Sequence, residues 1–91
     1  MRVRWTGKAV QDIGRLHDFL AQVNRPVAAS TVRSLRAAPA RLLDNPRLGL
    51  RLEEFAPREV RRILIGAYEL RYELLDDSLI VLRLWHARED R

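Results

Sequence analysis

The residues best suited to chemistry lie in the last third of the chain: Arg61, Arg62, Arg71, Arg83, His86 and Arg88. A guanidinium offers a planar fork of donors that pairs with a phosphate or a carboxylate through two parallel hydrogen bonds. Three such forks converging on one surface make an anion site. A histidine among them adds a group that exchanges protons near neutral pH, so His86, with Arg83 or Arg88 steadying developing phosphate charge, has the ingredients of proton-transfer chemistry on a phosphodiester. The same residues also have a plainer explanation. Arg71 stands between Glu69 and Glu73, an alternation that produces cross-strand charge pairs on a solvated strand face. His86 then reads as a hydrogen-bonded residue at the border of the core. The residues alone favour the plainer explanation.

Other chemistries are absent from the sequence. There is no glycine-rich phosphate loop, no nucleophile-elbow serine and no His/Asp/Glu cluster at metal-binding spacing; no cofactor or metal is predicted. With no cysteine, disulfides, thiolate metal sites and cysteine nucleophiles are excluded, which fits a reducing compartment. His17, beside Leu16 and Asp18, reads as a partly exposed helix residue. Ninety-one residues allow one domain, 1–91, and 47% hydrophobic with 32% charged residues is a globular balance. The net charge is +5, and every basic residue except Lys8 is arginine. That surplus suits a nucleic acid or an acidic protein, although the arginines are spread along the chain, as a coding bias would also spread them. No apolar run opens the chain or reaches membrane-spanning length, which predicts a soluble, cytoplasmic protein with no membrane partner.

The elements that must position these residues follow from hydrophobic spacing. Residues 1–5 alternate as a short strand around Val3 and Trp5, and Thr6 stands at a helix N-cap. From Lys8 to Val23, Ala9, Val10, Ile13, Leu16, Leu20 and Val23 fall on one helical stripe, leaving Gln11, Asp12, Arg15 and Asp18 to face away. Asn24 and Arg25 break the chain, and Pro26 opens a second helix, with Val27, Ala28, Val32, Leu35, Ala38 and Leu42 on its stripe up to Asp44. Pro39 inside it predicts a kink. Residues 45–57 carry two prolines and a glycine without a period and read as an irregular connection. The period then becomes two, giving strands at 59–65, 68–74 and 79–86 joined by turns at Gly66-Ala67 and Asp76-Asp77. Tyr68, Leu70, Tyr72 and Leu74 face the core, and Glu69, Arg71 and Glu73 face away. On the last strand, Arg83 shares parity with Leu79, Val81 and Trp85, opposite Ile80, Leu82 and Leu84. Arg71, Arg83 and one of Arg61 and Arg62 would then share a face. Trp5 and Trp85 read as core anchors. The expected fold is α+β in two layers: strand, helix, helix and three strands, the helical hairpin packed on an antiparallel sheet.

In that order, four segments resemble the RelE/ParE superfamily of type II toxin–antitoxin toxins, closer to ParE: RWTGKAVQDI, LLDNPRLG, EVRRILIGAYELRYEL and VLRLWHARED. The resemblance spans essentially the whole chain. It implies a toxin that poisons DNA gyrase, trapping the cleaved complex and blocking replication, without catalysing a reaction itself; growth arrest and plasmid stabilization belong to such systems. It also implies a cognate ParD-like antitoxin with an acidic C-terminal segment, forming a hetero-oligomer with the toxin, and no sequence-specific DNA binding by the toxin. The candidate target- or partner-binding residues are Arg61, Arg62, Arg71, Arg83, His86 and Arg88. The alternative that the resemblance carries is a RelE-like, ribosome-dependent mRNA endoribonuclease, for which His86, Arg83 and Arg61 are the catalytic candidates. Such sites use further basic residues and often a C-terminal tyrosine, whereas this chain ends HAREDR. A third alternative is a diverged, non-toxic member that serves an antitoxin as corepressor. The non-enzymatic toxin is the favoured expectation.

Overall fold

The computed structural model describes residues 1–89. Strand β1 (Arg2–Trp5) leads into helix α1 (Gly7–Ala21) and helix α2 (Arg25–Leu42). A short strand β2 (Leu50–Arg51), a 3-10 turn (Glu53–Phe55) and strands β3 (Glu59–Ile65), β4 (Tyr68–Leu75) and β5 (Ser78–His86) complete the chain. The five strands form one sheet in the order β1-β5-β4-β3-β2, with the helices packed on it, so the expected two-layer α+β arrangement is present.

Both helix starts follow from side-chain capping. Thr6 accepts a hydrogen bond from the Ala9 N–H, and Asn24 does the same for Val27, each filling a donor that a helix leaves open. The β3–β4 and β4–β5 connections are tight turns in which Gly66 (φ 59°) and Asp76 (φ 52°) take the left-handed conformation that such hairpins need. Ala9, Ile13 and Leu16 of α1 and Leu35 and Leu42 of α2 meet Leu70, Tyr72, Leu79, Val81 and Leu84 of the sheet in one core. Pro39 is buried, and α2 continues past it to Leu42; apolar packing of the ring offsets the missing N–H.

The structure corrects several details. The sheet is mixed: β1 runs parallel to β5, pairing Arg2–Trp5 with Ser78–Val81, and only the other pairings are antiparallel. The 45–57 connection contains β2 and the 3-10 turn, elements too short for periodicity to reveal. Val10, Val23 and Val27 are exposed, not part of the buried stripe. Asp12, expected to face solvent, is buried with 4% of its surface exposed. On β5 the register slips opposite Arg71 and Tyr72: Arg71 pairs with Arg83, but Tyr72 pairs with Val81. Leu82 is the extra residue of a β-bulge, so parity reverses there. Leu79, Val81, Leu84 and His86 therefore face the helices, and Arg83 and Trp85 face the opposite side. Trp85 is buried, but beneath arginines on the outer face and not in the helix-side core.

Candidate functional site

The register of β3, β4 and β5 places Arg62, Arg71 and Arg83 side by side on the outer face of the sheet. Like charges in adjacent positions repel unless something neutralises them. Here carboxylates do so. Glu69, almost wholly buried, lies 3.4 Å from Arg71 and 3.8 Å from Arg62. Arg58 grips the buried carboxylate of Glu73 through two bonds of 3.0 and 2.8 Å. Arg83 grips Asp12 of α1 through bonds of 2.7 and 3.2 Å. The guanidinium carbons of Arg71 and Arg83 lie over the Trp85 ring at 4.8 and 5.1 Å, and that of Arg71 also lies 5.6 Å from the Phe55 ring centre. The indole ring attracts both cations. Arg71 Nε is buried and has no hydrogen-bond acceptor among the described residues. Exposed Leu50 and Leu64 share this face with Arg62, through the Leu50–Arg62 pairing and the two-residue strand repeat.

Asp12 is the keystone of this arrangement. β1 pairs with β5 only as far as Val81, which leaves the next residues of β5 with an open edge. Side chains of the α1 segment fill it: the Thr6 hydroxyl donates to the Leu82 carbonyl, the Leu84 N–H donates to Asp12 Oδ2 at 2.9 Å, and Arg15 donates to the Leu84 carbonyl. Burial alone would raise the Asp12 pKa; the bonds from Arg83, the Leu84 N–H and Arg15 outweigh it, and the carboxyl lies below its ordinary range. Its hydrogen bond in turn raises the Arg83 pKa. The helical spacing already held this signal, because Asp12 stands three residues after Ala9 and four before Leu16, both buried.

His86 lies on the other side of the sheet. Its ring meets Tyr68 edge-on at 5.3 Å, and its Nδ1 accepts from the Arg88 N–H at 3.1 Å, which leaves the proton of the neutral ring on Nε2. Burial raises the Tyr68 phenol pKa. Both residues open onto a cavity of about 490 Å³ whose walls include Leu16, Phe19, Leu20 and Arg88. Phe19 leaves 67% of its surface in solvent beside it. Arg15 bridges the rim to Glu89 at 2.6 Å. Burial works against ionisation of Glu89, but Arg15 and the His86 N–H outweigh it and lower its pKa.

The six candidate residues thus do not form one cluster. Arg62, Arg71 and Arg83 form a row, and His86 and Arg88 flank the cavity behind it. Arg61 faces the Tyr72 side of the sheet, where it pairs with Glu59 at 2.9 Å and donates to the Gly49 carbonyl at 2.7 Å, anchoring the 45–51 segment. Sequence reasoning missed Phe55, Arg58 and Phe19, because their roles come from segments distant in the chain, and Asp12, because its charge pointed outward against its place on the helical stripe. Among the described residues no three His, Asp or Glu side chains are grouped as a metal would require. No helix among them is long and apolar enough to cross a membrane.

Comparison with known proteins matches this fold to a family. The sequence model of the family described as "ParE toxin of type II toxin-antitoxin system, parDE" matches residues 3–91. The chain is 28% identical over 86 residues to a protein of Caulobacter vibrioides named Toxin RelE2, covering 94% of each. A chain from the solved structure described as "Chromosomal ParDE TA system from P. aeruginosa" superposes with a TM-score of 0.75 at 18% identity, covering 92% of both; at that identity the likeness speaks for the fold.

Proposed function

The chain belongs to the ParE toxin family of type II toxin–antitoxin systems, and from that premise we propose that it is a non-enzymatic toxin that poisons DNA gyrase in the cytoplasm and is neutralised by a ParD-like antitoxin. The observation that carries the non-enzymatic reading is the separation of the proton-transfer candidate from the arginine row. His86 faces α1, whereas Arg62, Arg71 and Arg83 face the opposite side of the same sheet. One scissile phosphodiester cannot reach both, so the row does not act with His86, and of the candidate arginines Arg88 alone stands beside it at the cavity. What the outer face offers is a row of arginines, a residue type enriched in protein–protein hot spots, stacked on buried Trp85 and bordered by Phe55, Leu50 and Leu64. This face is our candidate for the target contact.

The cavity between α1 and β5 is the candidate antitoxin seat. Its apolar walls and exposed Phe19 suit the apolar side of a partner helix, and the +5 charge of the chain favours an acidic one with fast, steered association.

The deciding experiment combines purified toxin with gyrase and plasmid, scoring supercoiling and double-stranded cleavage with and without antitoxin. Antitoxin-reversible cleavage is the expected result. A folded, growth-arresting toxin that leaves gyrase untouched overturns the reading. The second reading, an mRNA endoribonuclease, draws on the relative named Toxin RelE2 and on the placement of His86 between Tyr68 and Arg88 at an open cavity. For that enzyme His86→Ala lowers the cleavage rate by about 2–4 orders of magnitude, whereas a gyrase poison keeps its activity. A protein that arrests no growth on induction overturns both readings and leaves the corepressor role.

A further inference from the structure

The arginines fall into two structural classes. Each one on β2, β3, β4 and β5 has a carboxylate partner: Arg51, Arg61, Arg62, Arg71 and Arg83 are all in ion pairs. On α2, Arg25, Arg33, Arg36 and Arg41 are exposed, and no carboxylate among the described residues pairs with them. No acidic residue occurs anywhere from Phe19 to Leu43. Four charges on one helix, in a chain of net charge +5, form a concentrated positive surface.

The helical repeat places these four on the half of α2 turned away from buried Ala28, Leu35, Ala38 and Leu42. Between them the exposed positions are small: Ser30, Ser34, Ala37 and Ala40. From Arg25 to Arg41 the rise is about 24 Å, a length over which duplex DNA presents more than ten phosphates. A protein partner would need a buried apolar anchor, and beyond half-exposed Val27 this face has none. A single strand would need stacking platforms, and α2 carries no aromatic residue. Small side chains let a broad polyanion approach closely, and arginine forks suit phosphate oxygens.

We propose that the outer face of α2 binds the phosphate backbone of duplex DNA without reading its sequence. This surface is separate from the sheet face and the α1–β5 cavity, and its test involves neither gyrase nor antitoxin, so it stands or falls apart from the gyrase reading.

The test is fluorescence anisotropy of the full chain with a labelled duplex of arbitrary sequence across a salt series. Wild-type affinity should fall about 100-fold for a fourfold rise in salt, as four phosphate contacts imply. Replacing Arg25, Arg33, Arg36 and Arg41 together by Gln should flatten the log–log slope by about 3.6, and Arg33→Gln alone by about 0.9. A fourfold Lys variant should retain binding. Circular dichroism and melting should not change, because none of the four is paired among the described residues. Absence of wild-type binding at low salt, tighter binding of a single strand than of the duplex, or a Gln variant that binds duplex like wild type overturns the proposal. So does a Gln variant that loses affinity for an acidic protein while keeping it for the duplex.

Discussion

Asp12 and Arg83, 71 residues apart in sequence, meet at 2.7 Å and tie helix α1 to strand β5 where β1 ends. The same carboxylate accepts from the Leu84 N–H, so one buried side chain orients an arginine of the outer face and closes a strand edge.

Removing it has two costs: a buried N–H without a partner and an arginine without its counter-ion. Asp12→Ala is expected to destabilise the fold by about 1–3 kcal/mol, lowering the melting temperature by about 4–8 °C for each kcal/mol in a domain of this size. Thermal and urea melts measure it. An unchanged midpoint would remove Asp12 from the keystone role.

The acid side of the stability profile should depend on the same residue. Asp12 and Glu89 are held below their usual pKa values against the opposing effect of burial, as is Glu59 by Arg47 and Arg61. A depressed carboxylate binds fewer protons folded than unfolded, so its stabilisation is complete above the unfolded pKa of about 4 and is lost as pH falls through the lower folded value. Urea midpoints should therefore drop below about pH 4, and less steeply in Asp12→Asn. Parallel profiles for the two proteins contradict the assignment.

Glycines give a pair of opposite outcomes. At Gly49 an added methyl would stand 2.7 Å from Tyr72 Oη and 2.8 Å from the Arg62 carbonyl, whereas at Gly14 it would meet nothing within 4 Å. Tyr72 also receives the Gly49 N–H and donates to the Pro46 carbonyl, so it cannot move aside without losing both bonds. Gly49→Ala should destabilise by about 1–3 kcal/mol, and Gly14→Ala, inside α1, should stabilise by about 0.5–1 kcal/mol. Equal effects at the two sites would contradict the close approach.

Phe19 separates binding from folding. Because most of its ring is already in solvent, Phe19→Asp should leave the melting temperature of the isolated toxin within about 2 °C. Antitoxin affinity should fall by at least about tenfold if its helix seats on this ring, the loss of one interface anchor. Calorimetric titration of the folded variant decides it, and unchanged affinity moves the antitoxin off this cavity.

Most of the fold was legible in the sequence because its elements are long and periodic. The Thr6 cap, the Pro26 helix start, the β3–β4 hairpin at Gly66 and the inward face of Tyr68, Leu70, Tyr72 and Leu74 are local consequences of local residues. β2, two residues long, has no period to read. The candidate site was only half legible. Strand alternation alone aligned Arg71 with Arg83, and it left open whether Arg61 or Arg62 joined them.

The tertiary structure decided the rest, since those features depend on which strand lies beside which. The bulge at Leu82 put Leu79 and Val81 on the helix side together with Leu84 and His86, where unbroken alternation would have left them on the side of Arg83. Parallel pairing of β1 left an edge on β5 that drew Asp12 into the protein, although its charge alone pointed outward. Composition determined that the chain would be rich in arginine. Which arginines meet carboxylates and which, as on α2, have none among the described residues was settled by packing, because a charge finds its partner through space and not along the chain.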